Sequence, residues 1–169
     1  MNAAGYAALL AAALLSLPPA ANADGRGHRH GRHDDDYGAR LTGDQETAPV
    51  DTETRGRFRL EFNDDKSAAT FRLRVTDGVR VTQAHIHCGV EGQNGPPVIF
   101  LGGFHDRGWD VDGWWVANAT VTDDNIVNDS CGTTLVDIAA AMDAGMTYVN
   151  VHTVANPAGE IRGQIRRDR

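Results

Sequence analysis

The sequence predicts an all-β domain: an antiparallel two-sheet β-sandwich with one short helix. Three observations carry that prediction. Apolar and charged residues alternate in "RGRFRLEF" and "ATFRLRVT", the period of a strand with one buried face. The apolar runs are short and separated by turn-forming glycine, proline, asparagine and aspartate. One segment, "TTLVDIAAAMDAG", carries helical periodicity. Short antiparallel strands with a single crossing helix suggest two packed sheets.

The chain opens with an apolar run from Ala7 to Leu17, then prolines, then Ala21-Asn22-Ala23. That is the small-x-small end of an export signal, without the usual Lys or Arg before the apolar run. The run is shorter than the ~20 residues a membrane span needs. Residues 1–23 are expected to be a cleaved signal peptide, so the mature protein is expected to be secreted or periplasmic. Residues 24–39 hold His28, His30 and His33 and then three aspartates. With no apolar run they cannot offset their ordering entropy, so a disordered arm is expected. It reads either as a solubilising linker or as a loose metal collector. Residues 40–169 make one domain, large enough for a real core. The formal net charge of −7 argues against nucleic acid and anionic membranes as partners.

Phe58, Leu60 and Phe62 share one face, with Arg57, Arg59 and Glu61 on the other. Phe71, Leu73 and Val75 alternate with Arg72 and Arg74 in the same way. "NDDKS" joins the two runs into an antiparallel hairpin with one wet face. Further strands are expected at 80–87, 97–101 and 114–121. Trp114 and Trp115 in the last are expected to anchor the core or cap its end. Leu135, Ile138, Ala139 and Met142 form a helical face, with Thr134 as N-cap, Asp137 at the positive end and Gly145 to stop it. The final hairpin alternates Val149 and Val151 against Tyr148, Asn150 and His152. Its second strand sets Ile161 and Ile165 against Glu160, Arg162 and Gln164.

Cys88 and Cys131 are the two cysteines. In an oxidising compartment an isolated pair usually bridges, which would stabilise the fold by ~4 kcal/mol on chain-entropy grounds. The competing reading makes Cys88 a thiolate ligand beside His87. His85 and His87 lie at i and i+2 and so share a strand face. Their Cβ atoms stand ~7 Å apart, close enough for two imidazoles to tilt onto one ion. Asn150, His152, Glu160, Arg162 and Gln164 form a convergent polar face, on which His152 is expected opposite Glu160 or Arg162. The bland reading of all these residues is a structural hydrogen-bond network.

Three blocks carry a family resemblance: "LTGDQETAPVDTETRGRFRLEF", "AHIHCGVEGQNGPPVIFL" and "AGMTYVNVHTVANPAGEIRGQI". In that order, from about Leu41 to Ile165, they resemble the CHRD domain, named for chordin and also found in exported microbial proteins. The resemblance implies an immunoglobulin-like β-sandwich, distantly similar to copper/zinc superoxide dismutase. That dismutase draws copper ligands from an H-x-H strand and a histidine far downstream. The matching positions are His85, His87 and His152. His105 is a candidate fourth ligand or a neighbour of the ligands, and Glu160 a candidate acceptor that orients one ring. Copper is the first choice and zinc the second. The zinc-binding loop and bridging histidine of a dismutase have no match here, so dismutase-type redox chemistry is the least favoured reading.

Other signals are weaker. "DRGWDVDGWW" lacks the ordered calcium loop, and "TDDNIVND" reads as a solvated loop. Asn118 and Asn128 begin glycosylation sequons, meaningful only in a glycosylating host. No nucleophile, phosphate-loop, metalloprotease or glycosidase motif is present, so a non-enzymatic role is expected. Two functions remain: an exported copper-binding CHRD protein, or a metal-free extracytoplasmic module that binds a protein or polymer.

Overall fold

The computed structural model describes residues 36–168. The expected signal peptide and residues 24–35 of the arm lie outside the described residues. Strand β1 spans Asp36–Leu41, so the folded domain starts inside the segment expected as arm. Tyr37 explains the early start: it is fully buried, edge-on to the Phe62 ring at 5.7 Å, and donates to the Asp143 carboxylate. A composition rule sees only glycine and aspartate around it.

The remaining elements are β2 (Arg55–Phe62), β3 (Ala68–Cys88), β4 (Pro97–Gly102), β5 (Trp109–Thr122), α1 (Leu135–Asp143), β6 (Thr147–Thr153), β7 (Ile161–Gln164) and β8 (Arg166–Arg167). Short 3-10 turns occupy Gly43–Gln45 and Asp123–Asn125. All strand pairs are antiparallel. The expected hairpin forms with Phe58 opposite Leu73 and Leu60 opposite Phe71.

The strands expected at 69–76 and 80–87 are one strand, β3, with a bend between them. Asp77 and Arg80 take φ of +53° there. Asp110 accepts from the Arg80 N–H, and Thr54 donates to the Asp77 carbonyl. The first half of β3 pairs with β2 and β5, and the second half with β6 and β4. A strand that changes partners at a bend is how orthogonal sheets share a corner. The path β7-β6-β3-β2-β1-β8 nearly closes, because Thr42 after β1 exchanges backbone hydrogen bonds with Arg162 of β7. The result is an all-β, barrel-like sandwich.

Helix α1 starts as expected. Thr134 accepts from the Asp137 N–H while the Asp137 carboxylate accepts from Thr134 N–H, a reciprocal cap. Gly145 follows its end at φ +69°. Leu135, Ile138, Ala139 and Met142 are buried. Cys88 and Cys131 are joined in a disulfide that ties the end of β3 to the segment before α1. That pairing removes Cys88 from the metal ligands. Trp115 packs on the core, but Trp114 is 53% exposed, contrary to the expected core role of the pair.

Candidate metal centre

His85 and His87 lie on the second half of β3, beside β6. The register sets Gln83 opposite His152 and His85 opposite Asn150. His152 is therefore the diagonal neighbour of His85, within reach across the ladder. Nδ1 of His85 lies 3.2 Å from Nε2 of His152. The ring centroids of His85 are 5.4 Å from His87 and 4.9 Å from His152. One nitrogen from each of the three rings falls within 4.8 Å of the others. All three histidines are buried.

Two rings are aimed by backbone carbonyls. Nδ1 of His87 donates to Gly95 O at 2.9 Å, and Nδ1 of His152 to Pro157 O at 2.9 Å. A neutral ring with its proton on Nδ1 presents a bare Nε2. His152 Nε2 accepts the Nδ1 proton of His85, whereas the Nε2 atoms of His85 and His87 are buried with no partner among the described residues. Lone buried acceptors are costly, and a cation on the rings would satisfy them. Gly95 can reach His87 because it has no side chain. A Cβ there would overlap the Cys88 carbonyl.

Burial lowers all three histidines from the usual range. His85 falls to about 3, through desolvation and then the neighbouring His152 and His87. His87 is lowered by desolvation, against the raising effects of the Gly95 carbonyl on its Nδ1–H and of the Asn150 side chain nearby. Desolvation also lowers His152, against the Pro157 carbonyl. All three rings are neutral at neutral pH, the form that binds metal.

The other expected residues divide. Asn150 lies inside the network, acting on both His87 and Glu46. Arg162 is buried and pairs in register with Asn150 rather than His152. Its guanidinium donates to Val90 O, Gln93 O and Asn94 Oδ1. It lies 3.4 Å over the Tyr148 ring, and Tyr148 stacks on His87 at 4.7 Å. Glu160 does not orient a ring. Its carboxylate accepts from Thr52, Thr54, Thr153 and Asn156. Burial pushes it up, but those hydrogen bonds outweigh burial and leave it below the usual range. His105 does not join the three histidines: it stacks on Trp109 at 4.6 Å.

Sequence reasoning missed Tyr148, Glu46, Phe100 and the two carbonyls. Tyr148 shares the parity of Asn150 and His152, a signal that was present. Phe100 meets His85 edge-on at 4.5 Å and needs the β3–β4 register to be placed. Glu46 is buried and held above the usual carboxylate range by desolvation. Gly159 makes room for it, since a Cβ there would stand 2.5 Å from the Glu46 carboxylate.

The sequence model of the CHRD domain matches residues 37–165. The chain belongs to the CHRD domain family. The match covers both strands that carry the histidines and begins one residue into β1. No curated protein and no solved structure matches this CHRD protein. Its three-histidine group contains no carboxylate. That donor set suits borderline d-block ions such as copper and zinc and not calcium or magnesium, which take oxygen ligands. No helix among the described residues is long and apolar enough to cross a membrane.

Proposed function

We propose that this CHRD protein is exported and binds one metal ion through His85, His87 and His152, with copper preferred and zinc second. The observation that carries the reading is the pair of ring-to-carbonyl hydrogen bonds. They leave His87 and His152 only Nε2 to offer, converging with His85 in a buried, neutral group. Three neutral imidazoles suit either ion. Export is supported by the apolar run ending in Ala21-Asn22-Ala23 and by the disulfide. The role is to hold metal rather than to turn over a substrate. The His28, His30 and His33 tract supplements the site as a low-affinity collector.

The test is titration of the full chain carrying His28→Asn, His30→Asn and His33→Asn with copper and with zinc. The expected result is one bound ion per chain. At free metal a thousandfold above Kd, stability rises by about 4 kcal/mol. The rise disappears in His85→Ala and in His152→Ala. A melting temperature indifferent to both metals would leave the histidines as an internal network and this protein as a metal-free binding module.

A further inference from the structure

Three arginines stand side by side on the outer face of the other sheet. The register places Arg40 of β1 opposite Arg57 of β2, and Arg57 opposite Arg74 of β3. Trp114 of β5 follows opposite Arg74. The row crosses four strands, so its Cα atoms stand about 4.8 Å apart from one strand to the next. A second pair, Arg59 opposite Arg72, lies two residues further along. All five arginines are exposed, and Trp114 is 53% exposed. Arg59 has Asp168 at 3.8 Å. Among the described residues no carboxylate pairs with Arg40, Arg57, Arg72 or Arg74. The Arg59 end borders a cavity of about 340 Å³ whose lining sets Asp36, Glu61 and Asp168 against Arg59 and Arg72, so the uncompensated part of the face is the Arg40–Arg57–Arg74 row.

Like charges directly opposite on neighbouring strands repel and destabilise the sheet. In a chain of net charge −7, an uncompensated row of cations is a local reversal of sign. We propose that this face is a binding site for an anionic polysaccharide carrying sulfate or carboxylate groups. Each planar guanidinium offers a two-pronged donor that matches those anions. The regular cross-strand spacing presents several prongs to one extended chain at once, and the exposed Trp114 indole gives a sugar ring a flat apolar face. The proposal does not depend on metal at the histidines, which lie on the other half of β3.

The experiment measures binding of the full chain at low salt to dextran sulfate, to polygalacturonate, to neutral dextran and to duplex DNA. Dextran sulfate carries sulfate alone and polygalacturonate carboxylate alone, which separates the two sources. The expected result is binding to at least one anionic polysaccharide that weakens as salt rises, with none to dextran and at least tenfold weaker binding to DNA. Arg57→Ser combined with Arg74→Thr should weaken the polysaccharide complex at least tenfold. The melting temperature of that variant should hold or rise, which separates lost binding from lost folding. Trp114→Ala should weaken the complex with no change in melting. The proposal is overturned if neither polysaccharide binds, if DNA binds as well as they do, or if the double variant binds like the parent.

Discussion

The two halves of β3 follow one period and meet opposite fates. In the first half Phe71, Leu73 and Val75 enter the core while Arg72 and Arg74 stand in solvent. In the second half Ala84 and Ile86 enter the core, yet His85 and His87 on the other face are buried too. The strand itself does not differ. What differs is the chain laid over its outer face. Residues 89–96, pinned by Arg162, the segment through Glu46, and the turn at Pro157 cover the second half. No such cover lies on the Arg57–Arg74 row. A bare outer face leaves its charges to water, whereas a covered one must satisfy every polar atom from within. That internal accounting fails at several atoms there, Glu46 Oε1, Thr147 Oγ1 and Asn150 Oδ1 as well as the Nε2 atoms of His85 and His87, and a cation would satisfy the two ring nitrogens.

The largest blow to the covered face should come from Arg162→Ala. It strips the donors from Val90 O, Gln93 O and Asn94 Oδ1 and leaves Glu46 buried without its cation. Removing one member of a buried charged network costs about 3–5 kcal/mol. Denaturant unfolding measures it, and a loss under 1 kcal/mol would mean that the cover holds without its pin. Next in size is the disulfide. Cys88→Ala with Cys131→Ala should cost about 2–4 kcal/mol and loosen the strand end next to His87.

The bare half was legible in the sequence and the covered half was only partly so. Phe58 and Leu73 could be placed because their neighbours are charged and the outer face is wet. The helix could be placed because Thr134 and Asp137 announce its start. On β6 the same alternation reads Tyr148, Asn150 and His152 as solvent-facing, but all seven residues are buried. Tyr148 is covered by Gly95 and Asn150 by Glu46, both far away in sequence, which no local period reveals. The sequence sets "ATFRLRVT" and 80–87 apart as two strands, yet the junction, with positive φ at Asp77 and Arg80, is a bend inside one strand. The β6–β7 ladder ends at the Val151–Ile161 pair, and the Glu160 N–H donates to the Val151 carbonyl, so neither Glu160 nor Arg162 pairs with His152. The Glu160 carboxylate turns instead to Thr52 and Thr54, more than a hundred residues away.

A smaller effect separates the halves by pH. In the metal-free protein His85 titrates at about 3 when folded and near 6.5 when unfolded. Below 6.5 the unfolded chain takes up a proton that the folded chain refuses. Stability is therefore full above pH 6.5 and falls as pH drops through that value toward 3. At pH 5 His85 alone accounts for about 2 kcal/mol, and the lowered His87 and His152 add to it. Glu46 works against them, because its raised carboxyl stabilises the fold as pH falls. Comparison of parent with His85→Gln between pH 7 and 5 isolates the ring. Equal slopes in the two proteins would rule out a neutral buried His85.

The smallest effect has the opposite sign, and it lies on the bare half. Arg74 faces Arg57 directly, and Arg57 also faces Arg40. Arg74→Thr removes one like-charge pair and puts a β-branched residue at an exposed strand position. The expected gain is about 0.2–1 kcal/mol, read as a higher denaturation midpoint at unchanged slope. Raising the salt concentration should shrink the gain, because repulsion between exposed charges is screened. A gain that persists at 1 M salt would come from strand propensity alone. The row would then exert no strain on the sheet, and the bare face would differ from the covered one in hydration but not in stored charge.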